Sequence, residues 1–139
     1  YVFPKVVTHG AYDFSFSGLK TAVINQAHKL RQQGEEINAA NFAASFRRAV
    51  VDSLAEKTVR ACRDAGLKKV ALAGGVASNR LLRREMQRRG EKAGLTVFMP
   101  PAILCTDNAA MIGSAAFYQL MRGHVADLSL NAKARVELK

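Results

Sequence analysis

The sequence has 139 residues, 49% of them hydrophobic and 23% charged, which is typical of one globular domain with a sizeable core. These proportions do not indicate disorder, except from about Asn131 onward. No apolar run approaches the roughly 20 residues that are needed to span a membrane. The formal net charge is +10, with an isoelectric point near 10.1. Such an excess favours a polyanionic partner, with nucleic acid the first candidate; a solubilising role or an acidic protein partner are the alternatives.

The two cysteines, Cys62 and Cys105, show neither C-x-x-C spacing nor an adjacent histidine. They therefore predict neither a zinc site nor a disulfide framework, and a reducing, cytoplasmic setting is expected. The chain begins with Tyr1 and carries no secretory signal. We therefore expect it to be a portion of a longer protein.

Residues 1–11 are predicted to be irregular, with one short strand at most, and the first regular elements follow them. Polar and aromatic residues alternate over residues 13–17, which predicts a half-buried strand with Phe14 and Phe16 on one face. Apolar residues at helical spacing then predict a helix over residues 18–33, which Ser17 would cap.

A long helix is predicted next. Asn38 is a typical N-cap residue, and apolar residues recur at every fourth position in a pattern that extends to about Asp64. Four basic residues are expected on its solvated flanks: Arg47, Arg48, Lys57 and Arg60. The apolar positions expected to form its buried face are Phe42, Phe46, Val50 and Leu54, flanked by Ala43, Ala49 and Cys62.

The segment VALAGGVASN, residues 70–79, contains the leading candidate site. Its apolar start predicts a buried strand, Gly74 and Gly75 predict a turn, and a helix is expected over about residues 77–89. Glycine has no Cβ and tolerates positive φ, so a ligand can approach the backbone of such a turn, and ligands of α/β folds bind at the carboxyl ends of strands. The alternative is a turn without a ligand, followed by a serine or asparagine helix cap.

The predicted helix after this turn carries five arginines. Arg80, Arg84 and Arg88 are four residues apart, so they would share one exposed ridge, to which Arg83 and Arg89 add. The ridge would either contact an RNA phosphate chain or be an ordinary solvated face. The helix has no aromatic residue, which weighs against stacking on unpaired bases.

The last elements are a strand over residues 96–99 and a helix after the segment CTDN, residues 105–108. Small and apolar residues over 109–118 predict a buried helix packed against the sheet. Thr106 or Asp107 would cap that helix, and the alternative role for Asp107 is to bind a metal ion, although one carboxylate does not make a site.

The order of predicted elements is strand, two helices, strand, helix, strand, helix. Alternation of this kind predicts an α/β layer, here with a two-helix insertion. No second domain is expected within the chain.

Three segments together resemble one protein family. DFSFSGLKTA (residues 13–22), AGGVASNRLLR (residues 73–83) and CTDNAAMIG (residues 105–113) are similar in type, order and spacing to the C-terminal part of the tRNA threonylcarbamoyladenosine transferases. The similarity covers about residues 1–130 of this chain. It corresponds only to the later portion of the family's sequence.

The resemblance implies a fold and an activity. The family has an actin/Hsp70-type (ASKHA) ATPase fold of two lobes with a nucleotide between them. This chain would be most of the second lobe, with a helical insertion at about residues 18–65 and the N-terminal lobe absent. The family, with partner subunits, transfers a threonylcarbamoyl group from threonylcarbamoyl-AMP to the exocyclic amine of the adenosine beside the anticodon in tRNA. One divalent metal ion, iron or zinc, helps to hold the donor.

The motif match also implies roles for individual residues. Asn79 would bind the donor or nucleotide, Gly74 and Gly75 would let its adenosine approach the backbone, and Asp107 would be a metal ligand. The family's H-x-x-x-H pair is absent, because the histidines stand at positions 9, 28 and 124. One aspartate cannot hold a catalytic metal, so the chain alone is expected to be inactive and to bind metal weakly or not at all.

Two alternatives compete with the enzyme. The first is a non-catalytic, basic RNA-binding module that uses the arginine ridge. The second is a metallo-glycoprotease, the activity under which the family was formerly labelled. The sequence gives the glycoprotease alternative little support, because it has no H-E-x-x-H motif and no histidine close in sequence to Cys105 or Ser17.

Overall fold

The computed structural model describes residues 1–4 and 10–131. The short strand allowed for in the lead-in, and His9, fall outside these residues. None of the described helices is both long and apolar enough to cross a membrane. The elements in chain order are α1 (Ser17–Gln32), α2 (Ala39–Asp64), β1 (Lys69–Ala71), a first 3-10 helix (Gly75–Ser78), α3 (Arg80–Lys92), β2 (Thr96–Phe98), a second 3-10 helix (Ala102–Leu104) and α4 (Ala109–Met121).

The chain divides into two compact units, residues 1–105 and residues from 106 onward. The boundary falls inside the CTDN segment, and the sequence pattern did not indicate it. The first unit holds both strands and α1–α3, whereas the second holds α4.

The prediction of a mixed α/β structure is confirmed. β1 and β2 form a parallel pair in which Val70 is opposite Val97. The pairing continues past β1 through the Leu72 amide, which donates to the Phe98 carbonyl at 2.9 Å. α3 connects the two strands in the chain, as parallel pairing requires a crossover.

The core of the first unit lies where α2 and α3 meet the sheet. Its fully buried side chains come from the two helices, and it is completed by half-buried residues of both helices and the strands. Gly90 of α3 lies so close to β2 that a Cβ there would clash with the Val97 side chain. The core consists of Val51, Ala55, Leu82 and Met86, with Leu54, Val70, Leu72, Leu81 and Val97 packed around them.

The predicted buried face of α2 is displaced by about one residue. Val51 and Ala55 are buried, each one residue beyond a predicted position, while Phe46 keeps 36% of its surface exposed. Cys62 is buried as predicted. The reason is tertiary, because α3 packs on the side of α2 that carries Val51 and Ala55. The predicted cap is confirmed, since the Asn38 side chain accepts from the Asn41 amide at 3.0 Å.

The strand predicted over residues 13–17 is wrong. Instead α1 begins at Ser17, and its N-cap residue is Phe16 without a side-chain cap, so Ser17 does not cap the helix. The Phe14 and Phe16 rings stack at 6.3 Å. Their segment is held by α2 rather than by another strand, since the Lys57 ammonium donates to the Asp13 carbonyl and lies 5.6 Å from the Phe14 ring centre.

None of the residues of α4 is buried in the described chain. Its predicted packing against the sheet stays a prediction, because the helix and the sheet belong to different units. Within the described part of its own unit α4 is the only helix or strand, so no second element there covers its apolar sides. Its N-cap is Asn108, whose side chain accepts from the Met111 amide at 2.9 Å. The helix cap therefore belongs to Asn108 and to neither Thr106 nor Asp107.

Candidate functional site

The glycine turn lies at the carboxyl end of β1. Gly74 has φ 83° and ψ 168°, a conformation that is essentially restricted to glycine. Gly75 is not among the glycines with positive φ and begins the first 3-10 helix. That short helix is closed by the Ala77 amide, which donates to the Gly74 carbonyl at 2.9 Å. The turn therefore needs glycine at the first of the two positions for its backbone conformation.

Asn79 joins this turn to α3 as the N-cap residue. Its Oδ1 accepts hydrogen bonds from the Leu81 amide at 3.0 Å and from the Leu82 amide at 3.1 Å. The predicted asparagine cap is thus confirmed, and α3 begins at Arg80 rather than near Ala77. Within the described chain, no hydrogen bond is formed by the Asn79 Nδ2 group. The cap therefore orients the side chain and leaves its amide nitrogen able to donate to a ligand.

An apolar groove of about 280 Å³ lies beside Asn79. It is near the lower end of the sizes of small-molecule sites, so it suits part of a ligand rather than a whole nucleotide. Asn79 and Arg47 contribute its polar side chains. The groove unites the glycine segment with three residues of the predicted α2 stripe, a proximity that sequence periodicity could not reveal. Its lining is Phe46, Arg47, Val50, Val51, Leu54, Val76, Asn79 and Leu82.

Arg83 ties together the segments that follow the two strands. Its guanidinium donates to the Ala77 carbonyl at 3.0 Å and to the Pro100 carbonyl at 2.8 Å. It also lies 3.8 Å from the Sγ atom of Cys105, which is buried. The prediction that Arg83 belongs to an exposed ridge is therefore wrong, because its donors are used inside the protein.

Glu85 is the centre of a charge network between α2 and α3. Only 4% exposed, it accepts from Arg88 at 2.6 Å and from Arg48 and Arg89 at 3.4 Å each. The Arg88 hydrogen bond and the surrounding arginine charges lower the pKa of Glu85 to about 2, against the opposing effect of burial. Asp52 extends the network by accepting from Arg48 at 2.9 Å and from Arg89.

The prediction of an exposed arginine ridge is also wrong for two residues of this network. Arg88 and Arg89 are paired with acidic residues and do not present free charge. The sequence analysis did not predict this network. The ion pairs within α3 could have been predicted, because arginines follow Glu85 at three and four positions, which is the spacing of helical ion pairs. The contribution of α2 had no such signal.

Asp107 lies in the second unit, exposed, immediately before the residue that caps α4. Its carboxylate forms no hydrogen bond or ion pair with the rest of the described chain. Among residues 1–4 and 10–131, no group of three His, Cys, Asp or Glu side chains is placed to hold a metal ion. Zinc and iron sites need three or four ligands, so these residues do not complete a metal site by themselves. The sequence also predicts that the glycine turn with Asn79 and the helix start with Asp107 lie side by side at one sheet edge. This stays a prediction, because the two residues belong to different units.

Comparison with known proteins gives consistent matches. The family model for TsaD, tRNA N6-adenosine threonylcarbamoyltransferase, matches residues 1–114. Proteins of that name from Clostridium perfringens (strain ATCC 13124), Moorella thermoacetica and Clostridium botulinum (strain Kyoto) are 50%, 55% and 49% identical to it. The alignments cover 98%, 94% and 98% of this chain but 40%, 38% and 40% of the relatives. The chain thus spans about 40% of the length of these curated relatives.

Proposed function

The chain belongs to the TsaD family of tRNA N6-adenosine threonylcarbamoyltransferases, and we propose that it is the C-terminal portion of such an enzyme. The enzyme would transfer a threonylcarbamoyl group from threonylcarbamoyl-AMP to the exocyclic amine of the adenosine beside the anticodon in tRNA. The chain would form most of the second lobe of an ASKHA fold, in which α1 and α2 are the helical insertion. A tRNA substrate and two free cysteines favour a cytoplasmic setting, with partner subunits for tRNA modification.

The observation that carries the proposal is the geometry of the glycine turn and its asparagine. Gly74 adopts a conformation that needs glycine, at the end of a strand where α/β proteins bind ligands. Gly74 and Gly75 would let the adenosine of the donor approach the backbone. Asn79, whose side chain is oriented by the capping hydrogen bonds to Oδ1, would donate from Nδ2 to an oxygen or nitrogen acceptor of the nucleotide.

The reaction is an acyl transfer. The adenosine amine attacks the donor's carbonyl carbon, a C–N bond forms, the C–O bond to the phosphate breaks, and AMP leaves with that electron pair while the amine gives up a proton. The residues described here would bind and orient the donor for this attack, which is a positioning contribution. Nothing in the described chain identifies a general base.

We further propose that Asp107 supplies one ligand to a metal site, iron or zinc, that is completed by residues outside the described chain. Two observations support this role. Asn108, and not Asp107, caps α4, and the Asp107 carboxylate is exposed. When bound, the metal would help to hold the donor by offsetting phosphate charge.

A chimera tests the proposal. This chain replaces the matching 40% of the Clostridium perfringens relative, and the product is supplied with threonylcarbamoyl-AMP, unmodified tRNA and the relative's partner subunits. We expect the chimera to modify the tRNA and the 139-residue chain alone to be inactive. Turnover by the chain alone would refute the need for further residues.

Asp107→Ala in the same chimera separates the enzyme from the alternative RNA-binding module. The enzyme proposal expects loss of modification and lower metal content with tRNA binding retained. Unchanged modification and metal content would assign Asp107 a structural role only. Asn108→Asp is the matched control, since it keeps a good N-cap residue beside an unchanged Asp107.

A further inference from the structure

α4 exposes large apolar side chains on opposite sides of the helix. It spans Ala109–Met121 and contains no charged residue. Residues nine positions apart lie on opposite sides of an α-helix, because successive residues are rotated by about 100°. Ile112 therefore lies opposite Met121, and Met111 lies opposite Leu120. In the described chain each of these four side chains keeps at least 44% of its surface exposed.

A helix that is apolar all round is normally buried inside a protein. One neighbouring element covers one side of a helix, so α4 needs neighbours on two opposite sides. A membrane is not one of them, since the 13 residues of α4 span about 20 Å, whereas the hydrocarbon core of a bilayer is about 30 Å thick. The sheet of the first unit, against which α4 is predicted to pack, would cover one side at most. A second body must therefore cover the other.

Gly113, in the middle of α4, is an independent indication of a close neighbour. Glycine weakens the interior of a helix, because it loses more conformational freedom on folding than other residues do. Gly113 has no positive φ that would require glycine, and no atom of the described chain outside its own helix lies within 4 Å of a Cβ built there. Ala109 and Ala116 lie on the same side of the helix, four and three positions away. Another backbone that approaches this side would use the space that the missing Cβ leaves.

We infer that α4 is a docking helix for the portion of the enzyme that this chain lacks, and that this portion approaches the side of α4 that carries Gly113. The chain spans 40% of the length of its Clostridium perfringens relative, so the absent portion, about 60%, is large enough to cover the helix. Because it would belong to the same polypeptide, its effective concentration at α4 would far exceed that of a second copy. The inference rests on the proposed function, which makes the chain part of a longer enzyme.

Docking at α4 has a consequence for Asp107. This residue lies two positions before the start of the helix, with the cap residue Asn108 between them. A body that contacts the first turns of α4 is therefore close to the Asp107 carboxylate. The proposed metal site needs ligands from outside the described chain, and the docked portion would be placed to supply them.

Hydrogen exchange tests the inference by comparing the 139-residue chain with the chimera, in which it follows the remaining portion of the Clostridium perfringens relative. We expect the backbone amides of residues 113–121 to exchange at least tenfold more slowly in the chimera, because a covered helix opens less often. Equal exchange of α4 in the two proteins would overturn the inference. The aligned helix of the unaltered relative provides the same comparison if the chimera does not fold.

Gly113→Ala is a sharper test, because its effect on the exchange of α4 should change sign between the two proteins. In the 139-residue chain the added methyl group meets free space and alanine favours the helix, so exchange should slow about fivefold. In the chimera the methyl group would clash with the docked portion, so exchange should become at least fivefold faster. Gly18→Ala is the matched control: it lies in α1 with equal free space, and it should not speed the exchange of α4 in either protein.

The remaining outcomes separate the inference from its competitors. Slower exchange of α4 in both Gly113→Ala proteins would overturn the inference, because the side that carries Gly113 would then be open in the chimera. A dimer of the 139-residue chain in sedimentation, dissociated by Ile112→Glu and with α4 no better protected in the chimera, would assign α4 to a second copy and overturn it as well. If α4 is protected but the chimera transfers nothing, the docking stands and the proposed function fails. If the chimera is active and α4 exchanges as in the chain alone, the docking alone fails.

Discussion

The Arg83 guanidinium donates to the Pro100 carbonyl across 2.8 Å and thereby connects the segments that follow β1 and β2. The same side chain reaches the Ala77 carbonyl inside the first 3-10 helix. Parallel strands end at the same edge of their sheet, so one arginine can bind the segments that follow both strands. The glycine turn is thus fixed relative to Cys105, the last residue of the first unit.

Replacing this arginine should loosen both segments. Arg83→Gln is expected to lower the free energy of unfolding by about 2 kcal/mol, because hydrogen bonds from a charged donor to two partly buried carbonyls are lost. It should also speed the reaction of Cys105 with a thiol reagent, while Cys62 on α2 stays protected. Urea unfolding and peptide mass spectrometry after labelling measure the two effects. Equal protection of Cys105 in Arg83→Gln and in the unaltered chain would contradict the role given to Arg83.

The conformation of Gly74 predicts a substitution penalty without any steric clash. No atom lies within 4 Å of a Cβ built at this position, yet φ is 83°. Gly74→Ala should therefore destabilise the protein by about 1–3 kcal/mol through backbone strain alone. Gly18→Ala is the control: it lies inside α1 with equal free space and no positive φ, and it should stabilise by up to about 1 kcal/mol. Both values come from urea unfolding, and a neutral Gly74→Ala would show that the turn tolerates a side chain.

Asn79 can be tested for its two roles separately. Asn79→Ala removes the cap of α3 and should cost about 1 kcal/mol of stability. Asn79→Asp keeps a capping oxygen but replaces the free amide nitrogen by a second acceptor, so stability should change by only a few tenths of a kcal/mol. In the chimera, the aspartate variant should nevertheless bind AMP more weakly, as measured by calorimetry. Normal AMP binding by a fully stable Asn79→Asp would leave Asn79 with the cap alone.

The network around Glu85 predicts an acid-dependent loss of stability. The pKa of Glu85 is about 2 in the folded protein, against 4.5 as its ordinary value. Because the folded state holds the proton less tightly, the stabilisation is complete above about pH 4.5 and is lost as pH falls towards 2. The loss is expected to reach about 3 kcal/mol at most.

Chemical unfolding at several pH values between 2 and 6 measures this loss. Glu85→Gln should be less stable than the unaltered chain at pH 6 and should depend less steeply on pH, because the titrating group is gone. Glu36→Gln, an exposed change of the same kind, should leave the pH profile as it was. A profile for Glu85→Gln as steep as the original would assign the acid sensitivity to other carboxylates.

Local features of the fold were predictable from short stretches of sequence. The Asn38 cap, the glycine turn at Gly74 and the strand Thr96–Phe98 each depend on residues within a few positions, where backbone preference and capping chemistry act. The misplaced cap of α4 marks the limit of such reasoning. Asp107 and Asn108 are both good N-cap residues, and which of them caps the helix depends on the residue at which the helix begins.

The family relationship was also legible in the sequence, because the motifs that carry it are contiguous. Contacts between distant segments were not. The buried face of α2, the apolar groove at Asn79 and the separation of the arginines into paired and free groups all depend on how α2 meets α3, about 35 residues away in the chain. Periodicity places residues on a face of one helix, but which face is buried is decided by the partner that packs against it. The sequence by itself therefore determined the turn and its caps, and only the tertiary structure decided which charges remain available to a partner.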